Sequence, residues 1–336
     1  MNEEQLMATA RALVAPGKGI LAADESTGTI TRRLKSVGVE ATEAHRRAYR
    51  DLLLTTAGAQ EYISGVILYD ETLRQESLAG VPFPQVLAQV GIIPGIKVDL
   101  GAKALAGFPG EQITEGLDGL RDRLVAYGEL GARFAKWRAV ITIDDGLPTE
   151  FCIEANAHAL ARYAALCQEA DLVPIVEPEV LMDGSNTIGR CETVTTAVLE
   201  AVFSALRRHR VLLEGMLLKP NMVIAGIKCP VQNPVSEVAE ATVRTLLRTV
   251  PAAVPGIVFL SGGQSPELAT AHLNAMNRLG PTPWELSFSY GRALQQPSLQ
   301  AWAGDASQVG AAQALYLKRA RLNSAARSGS YTCAME

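Results

Sequence analysis

Short apolar runs alternate along the chain with longer amphipathic segments, and this alternation predicts the order of the structural elements. Runs rich in Val, Ile, Leu and Phe are typical of buried strands, whereas Leu or Ala at 3.6-residue spacing indicates helices. The predicted strands are 19–24, 63–69, 92–99, 132–143, 172–180, 211–222, 256–262 and 285–290. The helical stretches between them include 40–58, 115–130, 150–170, 187–210, 235–250 and 266–279. Thr149 and Ser236 are the predicted N-caps of two of these helices.

Eight strands alternating with helices predict an α/β fold, a (β/α)₈ or TIM barrel. Such a barrel needs about 250 residues, so a chain of 336 residues leaves room for extensions. We expect one domain over 1–336, with an N-terminal helical extension at 3–14. The small and polar segment at about 325–336 is expected to be a mobile tail. The alternative is an open, doubly wound sheet, but the chain lacks GxGxxG after its first strand.

Composition excludes several classes of protein. Hydrophobic residues make up 48% and charged residues 20% of the chain, which is enough for a large core. The net charge of -4 argues against nucleic-acid binding. No apolar run is long enough for a membrane span, and the N-terminus lacks a secretory signal. Five scattered cysteines fit a reducing compartment, so a cytoplasmic location is expected.

Metal chemistry has little support in the sequence. The chain has four histidines, and no two of them have a short metal-ligand spacing such as HxxxH. We therefore expect a reaction without a bound catalytic metal, and no other cofactor is predicted.

Lys219 is the most informative single position, because it lies at the end of an apolar run directly before Pro220. Proline should end the strand there, leaving the lysine stem in apolar surroundings. Burial disfavours the ammonium form, which predicts a pKa below the ordinary value of about 10.4. A neutral amine can attack a carbonyl carbon and form a Schiff base. The ordinary alternative is a lysine that reaches out to water.

Polar residues also stand where the other strands end, which in a barrel is the face that carries the active site. Residues two apart in a strand share a face, so Lys136 with Arg138, Glu177 with Glu179, and Lys97 with Asp99 form pairs. Three of the eight lysines fall in such runs. Unpaired buried charges are costly, so this clustering favours a site over a stabilising role.

These residue types indicate how the chemistry would run. A cation such as Lys136 would lower the pKa of Lys219 further by repulsion. Schiff-base formation needs an acid to protonate the departing hydroxyl, and carbon–carbon cleavage needs a base. Glu177 and Asp24 are carboxylates able to do this.

The last two strands are each followed by a turn that contains glycine. Barrel enzymes often bind phosphate with the loops at these two positions. Ser261-Gly262-Gly263 offers backbone N–H groups, and Ser289-Tyr290-Gly291-Arg292 adds a hydroxyl and a guanidinium. Arg32-Arg33 and Lys97 could hold a second anionic group. A solvated helix start is the alternative for the arginine pair.

Eight segments together resemble class I fructose-1,6-bisphosphate aldolase, the metal-free, Schiff-base type. In order, they are GILAADESTGTI, VPFPQVL, GIKVD, FAKWR, VPIVEPE, LLKPNMV, FLSGGQS and SYGRAL. The resemblance runs from about Met7 to about Leu322. It implies a homotetramer of barrels that reversibly cleaves fructose 1,6-bisphosphate to dihydroxyacetone phosphate and glyceraldehyde 3-phosphate. The implied setting is glycolysis and gluconeogenesis.

The resemblance also implies a role for each matching residue. Lys219 would be the Schiff-base lysine, Glu177 the main acid/base group, and Lys136 an assistant in the carbinolamine steps. Asp24 and Glu179 would be supporting acids, and Arg138 a substrate-site arginine. The ketose-end phosphate would be bound by Ser261, Gly262, Gly263, Ser289, Gly291 and Arg292. Arg33 and Lys97 match other positions associated with phosphate.

Two departures from the family pattern bear on function. Leu100 stands where the family often has lysine. Animal members end in a tyrosine that exchanges a proton with the enamine carbon, whereas here Tyr331 is not the last residue and the tail is shorter. Two other functions remain open at this point: a Schiff-base lyase or transferase for another sugar phosphate, and a non-catalytic scaffold that keeps the fold. Two anion sites favour a bisphosphate substrate, and a scaffold has no need for Lys219, Glu177 and Lys136 together.

Overall fold

Each of the eight predicted apolar runs contains a strand, and the strands close into a parallel barrel. The computed structural model describes residues 1–336. We label the barrel strands β1 (Gly19–Ala23), β2 (Ile63–Leu68), β3 (Ile93–Lys97), β4 (Phe134–Ile141), β5 (Val173–Val180), β6 (Leu217–Leu218), β7 (Gly256–Phe259) and β8 (Glu285–Tyr290). Each strand pairs with its neighbours in chain order, and β1 also pairs with β8. The (β/α)₈ prediction is therefore confirmed, and the open-sheet alternative is wrong.

Twelve α-helices surround or extend the barrel. They are α1 (Glu3–Leu13), α2 (Thr27–Lys35), α3 (Glu43–Leu54), α4 (Asp70–Arg74), α5 (Phe83–Gln89), α6 (Leu120–Glu129), α7 (Glu150–Glu169), α8 (Ile188–Arg208), α9 (Val235–Thr249), α10 (Pro266–Arg278), α11 (Arg292–Trp302) and α12 (Val309–Arg327). Thr149 caps α7 as predicted, because its side chain accepts from the Cys152 N–H. The Ser236 cap is wrong, since α9 begins at Val235 after Pro234. None of these helices has both the length and the apolar character that crossing a membrane requires.

The sixth strand is much shorter than the predicted 211–222. Only Leu217–Leu218 pair as a strand, and Leu213–Gly215 form a 3₁₀ turn instead. The Gln168 side chain on α7 explains the difference, because it bonds to both backbone groups of Leu212 and to the Gly215 carbonyl. The run before Leu217 is therefore not extended, because the Gln168 side chain takes the place of a neighbouring strand as the hydrogen-bond partner of its backbone groups. The strand ends at Leu218, two residues before Pro220.

The barrel interior is divided into an apolar floor and a polar upper layer. Inward positions near the strand starts form a buried apolar cluster with α1, and its members include Leu13, Phe134, Ile175 and Leu217. The packing there is tight, because a Cβ on Gly95 would lie 2.3 Å from the Phe134 ring. The N-terminal helical extension therefore closes the floor of the barrel. Charged inward positions follow two residues further along the same strands.

The C-terminal segment lies against the outside of the barrel. Helix α12 ends at Arg327, and the Tyr331 N–H donates to Asn274 on α10. The Tyr331 hydroxyl donates to Glu336, whose carboxylate also lies 2.6 Å from Arg319. The mobility of 325–336 and the single-domain organisation of 1–336 both stay predictions. The small antiparallel pair formed by Ala102–Ala104 and Gln112–Thr114 was not predicted.

We predict that Leu13→Ala lowers the free energy of unfolding by about 2–5 kcal/mol, because it leaves a cavity under the barrel floor. Leu13 is fully buried, whereas Leu78 is 66% exposed and serves as a matched control. Leu78→Ala should change stability by less than about 0.5 kcal/mol. Urea unfolding followed by circular dichroism at fixed protein concentration measures both. Equal losses in the two variants would contradict a role for α1 as the floor.

Candidate active site

A cavity of about 980 Å³ opens at the carboxyl ends of the strands. It is lined by almost all of the polar residues that the sequence singled out. These are Asp24, Arg33, Lys97, Lys136, Arg138, Glu177, Glu179, Lys219, Ser261, Gly262, Ser289, Gly291 and Arg292. Gly263 lies next to this set without lining the cavity, and Tyr331 lies outside it. The structure therefore gathers at one end of the barrel residues that are far apart in the chain.

Strand register explains why these side chains meet. Lys97 pairs with Lys136 between β3 and β4, and Arg138 pairs with Glu177 between β4 and β5. Paired residues of parallel strands point to the same face, so all four side chains enter the barrel. Lys219 follows the two-residue strand β6, and its N–H donates to the Val176 carbonyl at 2.8 Å. This bond extends the ladder just far enough to place the lysine beside Glu177.

The centre of the cavity is a row of four alternating charges. Lys219 Nζ lies 3.2 Å from Glu177 Oε1, and the other oxygen of Glu177 lies 3.3 Å from Lys136 Nζ. Lys136 Nζ also lies 2.6 Å from Asp24 Oδ2. Lys219, Lys136 and Glu177 are each no more than 4% exposed. Glu177 therefore bridges the two lysines.

The outer pair of this row is held in its charged form. Burial acts to raise the pKa of Asp24, but the Lys136, Lys219 and Lys97 charges outweigh it and hold that pKa far below its ordinary value. Burial likewise acts to lower the pKa of Lys136, yet Asp24, Glu177 and Asp99 raise it well above its ordinary value. Asp24 is thus a carboxylate and Lys136 an ammonium. Both groups are therefore fixed charges beside Glu177 and Lys219.

Two further ion pairs border the row. Lys97 Nζ lies 2.7 Å from Asp99 Oδ1, and the other oxygen of Asp99 accepts from the Arg138 N–H at 3.2 Å. The Arg138 guanidinium binds Glu179. Glu179 is therefore matched with a cation of the neighbouring strand and lies apart from the lysines. This contact indicates that Glu179 orients the Arg138 side chain and does not transfer a proton at Lys219.

Glu25 is a buried charged residue of the cavity that sequence reasoning did not assign. Its carboxylate binds Arg33 on α2 and lies 2.6 Å from Arg50 on α3. It also accepts from Gln295 Nε2 at 3.0 Å. Burial acts to raise the pKa of Glu25, but the two guanidinium groups outweigh it and hold that pKa below its ordinary value. The sequence signal that could have identified Glu25 is its position directly after Asp24. Nothing in the sequence around Arg50 marks it as the partner of Glu25.

The turns after β7 and β8 face each other across one side of the cavity. The Arg292 guanidinium donates to the Gly262 carbonyl, which joins the two turns. A Cβ on Gly291 would lie 3.8 Å from Arg33 Nη2, so Arg33 flanks the β8 turn. The Ser289 hydroxyl is buried and has no partner within the protein. The Gly263 N–H donates to the Met182 sulfur at 3.0 Å.

The arrangement combines a nucleophile, a proton carrier and anion-binding groups. A lysine beside a bridging carboxylate can form and hydrolyse a Schiff base. Two guanidinium groups, a free hydroxyl and a glycine turn at one end can bind a phosphate. No three or more His, Cys, Asp or Glu side chains are grouped in a way that could hold a metal ion.

Comparisons with known proteins agree over nearly the whole chain. The family model described as fructose-bisphosphate aldolase class-I matches residues 5–336. A probable fructose-bisphosphate aldolase class 1 of Xanthomonas campestris pv. campestris is 60% identical over 332 residues, covering 98% of this chain and 99% of its own. The cytosolic fructose-bisphosphate aldolase 4 of Arabidopsis thaliana is 56% identical, covering 97% of this chain and 84% of its own.

A solved structure matches the fold closely. It is a ternary co-crystal structure of fructose-bisphosphate aldolase from Plasmodium falciparum with TRAP and a small-molecule inhibitor. The TM-score is 0.97 at 52% sequence identity, and the match covers 98% of this chain and 95% of that one. Backbone and sequence therefore point to the same family.

We predict that Arg50→Met lowers the free energy of unfolding by about 3 kcal/mol, because it leaves the buried Glu25 carboxylate with one cation fewer. The double variant Glu25→Gln/Arg50→Met removes both charges and should recover much of the loss. Urea unfolding of the wild type and of all three variants of the cycle, including Glu25→Gln, measures the coupling. If Arg50→Met were as stable as the wild type, the pairing of Glu25 with Arg50 would be contradicted.

Proposed function

This chain belongs to the class I fructose-bisphosphate aldolase family and is a carbon–carbon lyase that acts on a sugar phosphate, and we propose that it does so through a Schiff base on Lys219. The observation that carries this proposal is the 3.2 Å contact between a buried lysine and the bridging carboxylate of Glu177. Proton transfer across that contact would yield a neutral amine and a carboxylic acid at once. Both are needed for the first step.

The amine attacks the C2 carbonyl carbon of fructose 1,6-bisphosphate and forms a carbinolamine. Glu177 then donates its proton to the C2 hydroxyl, which leaves as water and gives the iminium ion. Lys136, a fixed ammonium 3.3 Å from Glu177, stabilises the carboxylate that this donation leaves behind. Asp24 keeps that ammonium in place from the other side.

Cleavage follows when a base removes the proton of the C4 hydroxyl. The C3–C4 bond breaks, its electron pair flows into the iminium to give an enamine, and glyceraldehyde 3-phosphate leaves. We assign Glu177 as the base, because it is a carboxylate again after the first step and remains beside the lysine nitrogen. Protonation of C3 and hydrolysis of the iminium then release dihydroxyacetone phosphate and restore Lys219. Asp24 and Glu179 act as supporting anions.

A bisphosphate needs an anion site at each end of the cavity. Ser261, Gly262, Gly263, Ser289, Gly291 and Arg292 are proposed for the phosphate at the ketose end. Two features support this: the unpartnered Ser289 hydroxyl and the position of Arg33 beside the same turn. Lys97 and Arg138 are proposed to contact the rest of the substrate, including the second phosphate. On binding, Lys97 would give up part of its contact with Asp99, and Arg138 part of its contact with Glu179, to contact the substrate.

We also propose a homotetramer, a cytoplasmic location, and a place in glycolysis and gluconeogenesis. The cytosolic Arabidopsis relatives support the location. We assign no residue to the role of the proton-exchanging tyrosine, because the Tyr331 hydroxyl donates to Glu336 outside the cavity. If no other acid reaches the enamine carbon, its protonation would limit the rate.

We predict that borohydride added with dihydroxyacetone phosphate produces a stable triose adduct on Lys219 that peptide mass spectrometry detects. The adduct should form equally with and without EDTA. Lys219→Ala should abolish the adduct and lower kcat for cleavage by more than about 10⁴-fold. Lys228→Ala, which removes an exposed lysine of the same loop, is the control. It should retain the adduct on Lys219 and the wild-type kcat. Cleavage by Lys219→Ala at the wild-type rate, or an unmodified Lys219, would refute the proposal.

We predict that Glu177→Gln lowers kcat by about 10²–10⁴-fold with little change in KM, because glutamine cannot carry the proton. Steady-state cleavage assays with fructose 1,6-bisphosphate measure the two constants. Glu154→Gln on the outside of the barrel is a matched control and should behave as the wild type. A KM effect without a kcat effect would mean that Glu177 binds substrate and does not transfer protons.

A further inference from the structure

The turn between β7 and α10 is held by the side chain of one of its own residues, Gln264. Gln264 is 9% exposed, and its Nε2 donates to the Ser261 carbonyl at 3.1 Å. The same nitrogen lies 3.5 Å from the Met222 sulfur, in the segment that follows Lys219. Gln264 thus closes the turn on itself and ties it to the loop after β6. Gln264 and Met222 themselves do not line the cavity.

His272, two helical turns into α10, fixes which way the Gln264 amide faces. Its Nδ1 lies 2.6 Å from Gln264 Oε1, and the ring is 1% exposed. The Ser261 carbonyl can only accept, so the amide nitrogen must face it and the amide oxygen must face the ring. The imidazole therefore carries its proton on Nδ1 and donates to the amide oxygen. The two side chains form a directed relay from α10 to the turn.

The rest of the ring is consistent with this neutral tautomer. Nε2 is buried and has no hydrogen-bond partner, so a second proton there would have no acceptor. Burial lowers the pKa of His272 to about 4. The donor at Nδ1 is therefore present throughout the neutral range, and the relay does not switch with pH near 7.

We propose that His272 is a positioning residue for the phosphate at the ketose end, acting through Gln264 on the turn 261–263. This inference rests on the proposed function, because it takes that turn as the phosphate site. The turn contains a left-handed residue, Gly262 at φ +58°, whose carbonyl is bound by Arg292 from the cavity side. Arg292 on one side and Gln264 on the other hold the Gly262 and Ser261 carbonyls in place before substrate arrives. A turn that is already held needs less ordering when the anion binds.

A purely structural role would be the ordinary alternative, and α10 offers a matched test of it. Thr270 is also fully buried on α10, but its hydroxyl bonds to the Pro266 carbonyl and to Asn323 on α12. Removing that hydroxyl weakens the packing of the helix without touching the turn. Thr270→Val therefore reports on lost stability alone, whereas His272→Leu also frees the Gln264 amide.

The test is a comparison of His272→Leu, His272→Asn and Thr270→Val in the full-length enzyme. Cleavage of fructose 1,6-bisphosphate gives kcat and KM, competitive inhibition by inorganic phosphate gives Ki, and thermal unfolding gives Tm. His272→Leu should raise KM and Ki roughly tenfold with kcat nearly unchanged, since an unmade buried hydrogen bond has about that effect. Asparagine can still donate to Gln264, so His272→Asn should recover most of the loss. Thr270→Val should lower Tm without moving KM or Ki.

Wild-type KM and Ki in His272→Leu, or the same change in Thr270→Val, would overturn the inference. If His272→Leu does not fold, Gln264→Met keeps the volume, removes the amide and takes its place in the comparison with the same expected result. Failure of the proposed function is a separate outcome, because it shows as the absence of a trapped adduct on Lys219 in the wild type. An adduct with unchanged constants in the His272 variants would reject the positioning role alone.

Discussion

The site depends on burying two lysines and two carboxylates as one row of alternating charge. A single ion moved into the barrel would cost several kcal/mol, and the row offsets that cost because Asp24, Lys136, Glu177 and Lys219 sum to zero. The two inner members, Lys136 and Glu177, each contact two groups of opposite charge. The same contacts that make the burial tolerable are those along which a proton can pass. Stability and chemistry therefore constrain the same four positions.

The barrel supplies this row through its register. Inward positions alternate along each strand, so the apolar residues near the strand starts and the charged residues near the strand ends belong to one continuous inner face. Phe134 and Lys136 on β4, and Ile175 and Glu177 on β5, show the change from floor to site within two residues. Helix α1 seals the floor with Leu13. A shift of register by one residue would turn the charges of a strand into the helical layer and leave their partners unpaired.

The sequence allowed the fold and most of the site to be predicted, because both depend on short-range pattern. The strand ends could be read from polar residues that interrupt apolar runs, and the motifs of the family identified which ones belong together. The predicted extent of β6 was wrong because Gln168, more than forty positions away, satisfies the backbone of Leu212. Arg50 was missed for a similar reason: its partner Glu25 is distant in sequence, and a helical arginine carries no local sign of burial. The position of Tyr331 depends on Asn274 and Glu336, contacts that only the packed chain brings together.

The two kinds of functional group are held by different parts of the fold. Strands fix the charged row, whose members cannot move without separating a neighbour from its counter-ion. The proposed phosphate turn, in contrast, is fixed by side chains of its own loop and of α10, outside the barrel wall. Its geometry can therefore change with little effect on the row, and the converse also holds. The Gly263 N–H shows this freedom, because its present acceptor is the weak sulfur of Met182 and a phosphate oxygen would replace it with a stronger one. Binding and bond cleavage can thus be tuned separately, provided that the turn stays within reach of Lys219 through the bridge from Gln264 to Met222.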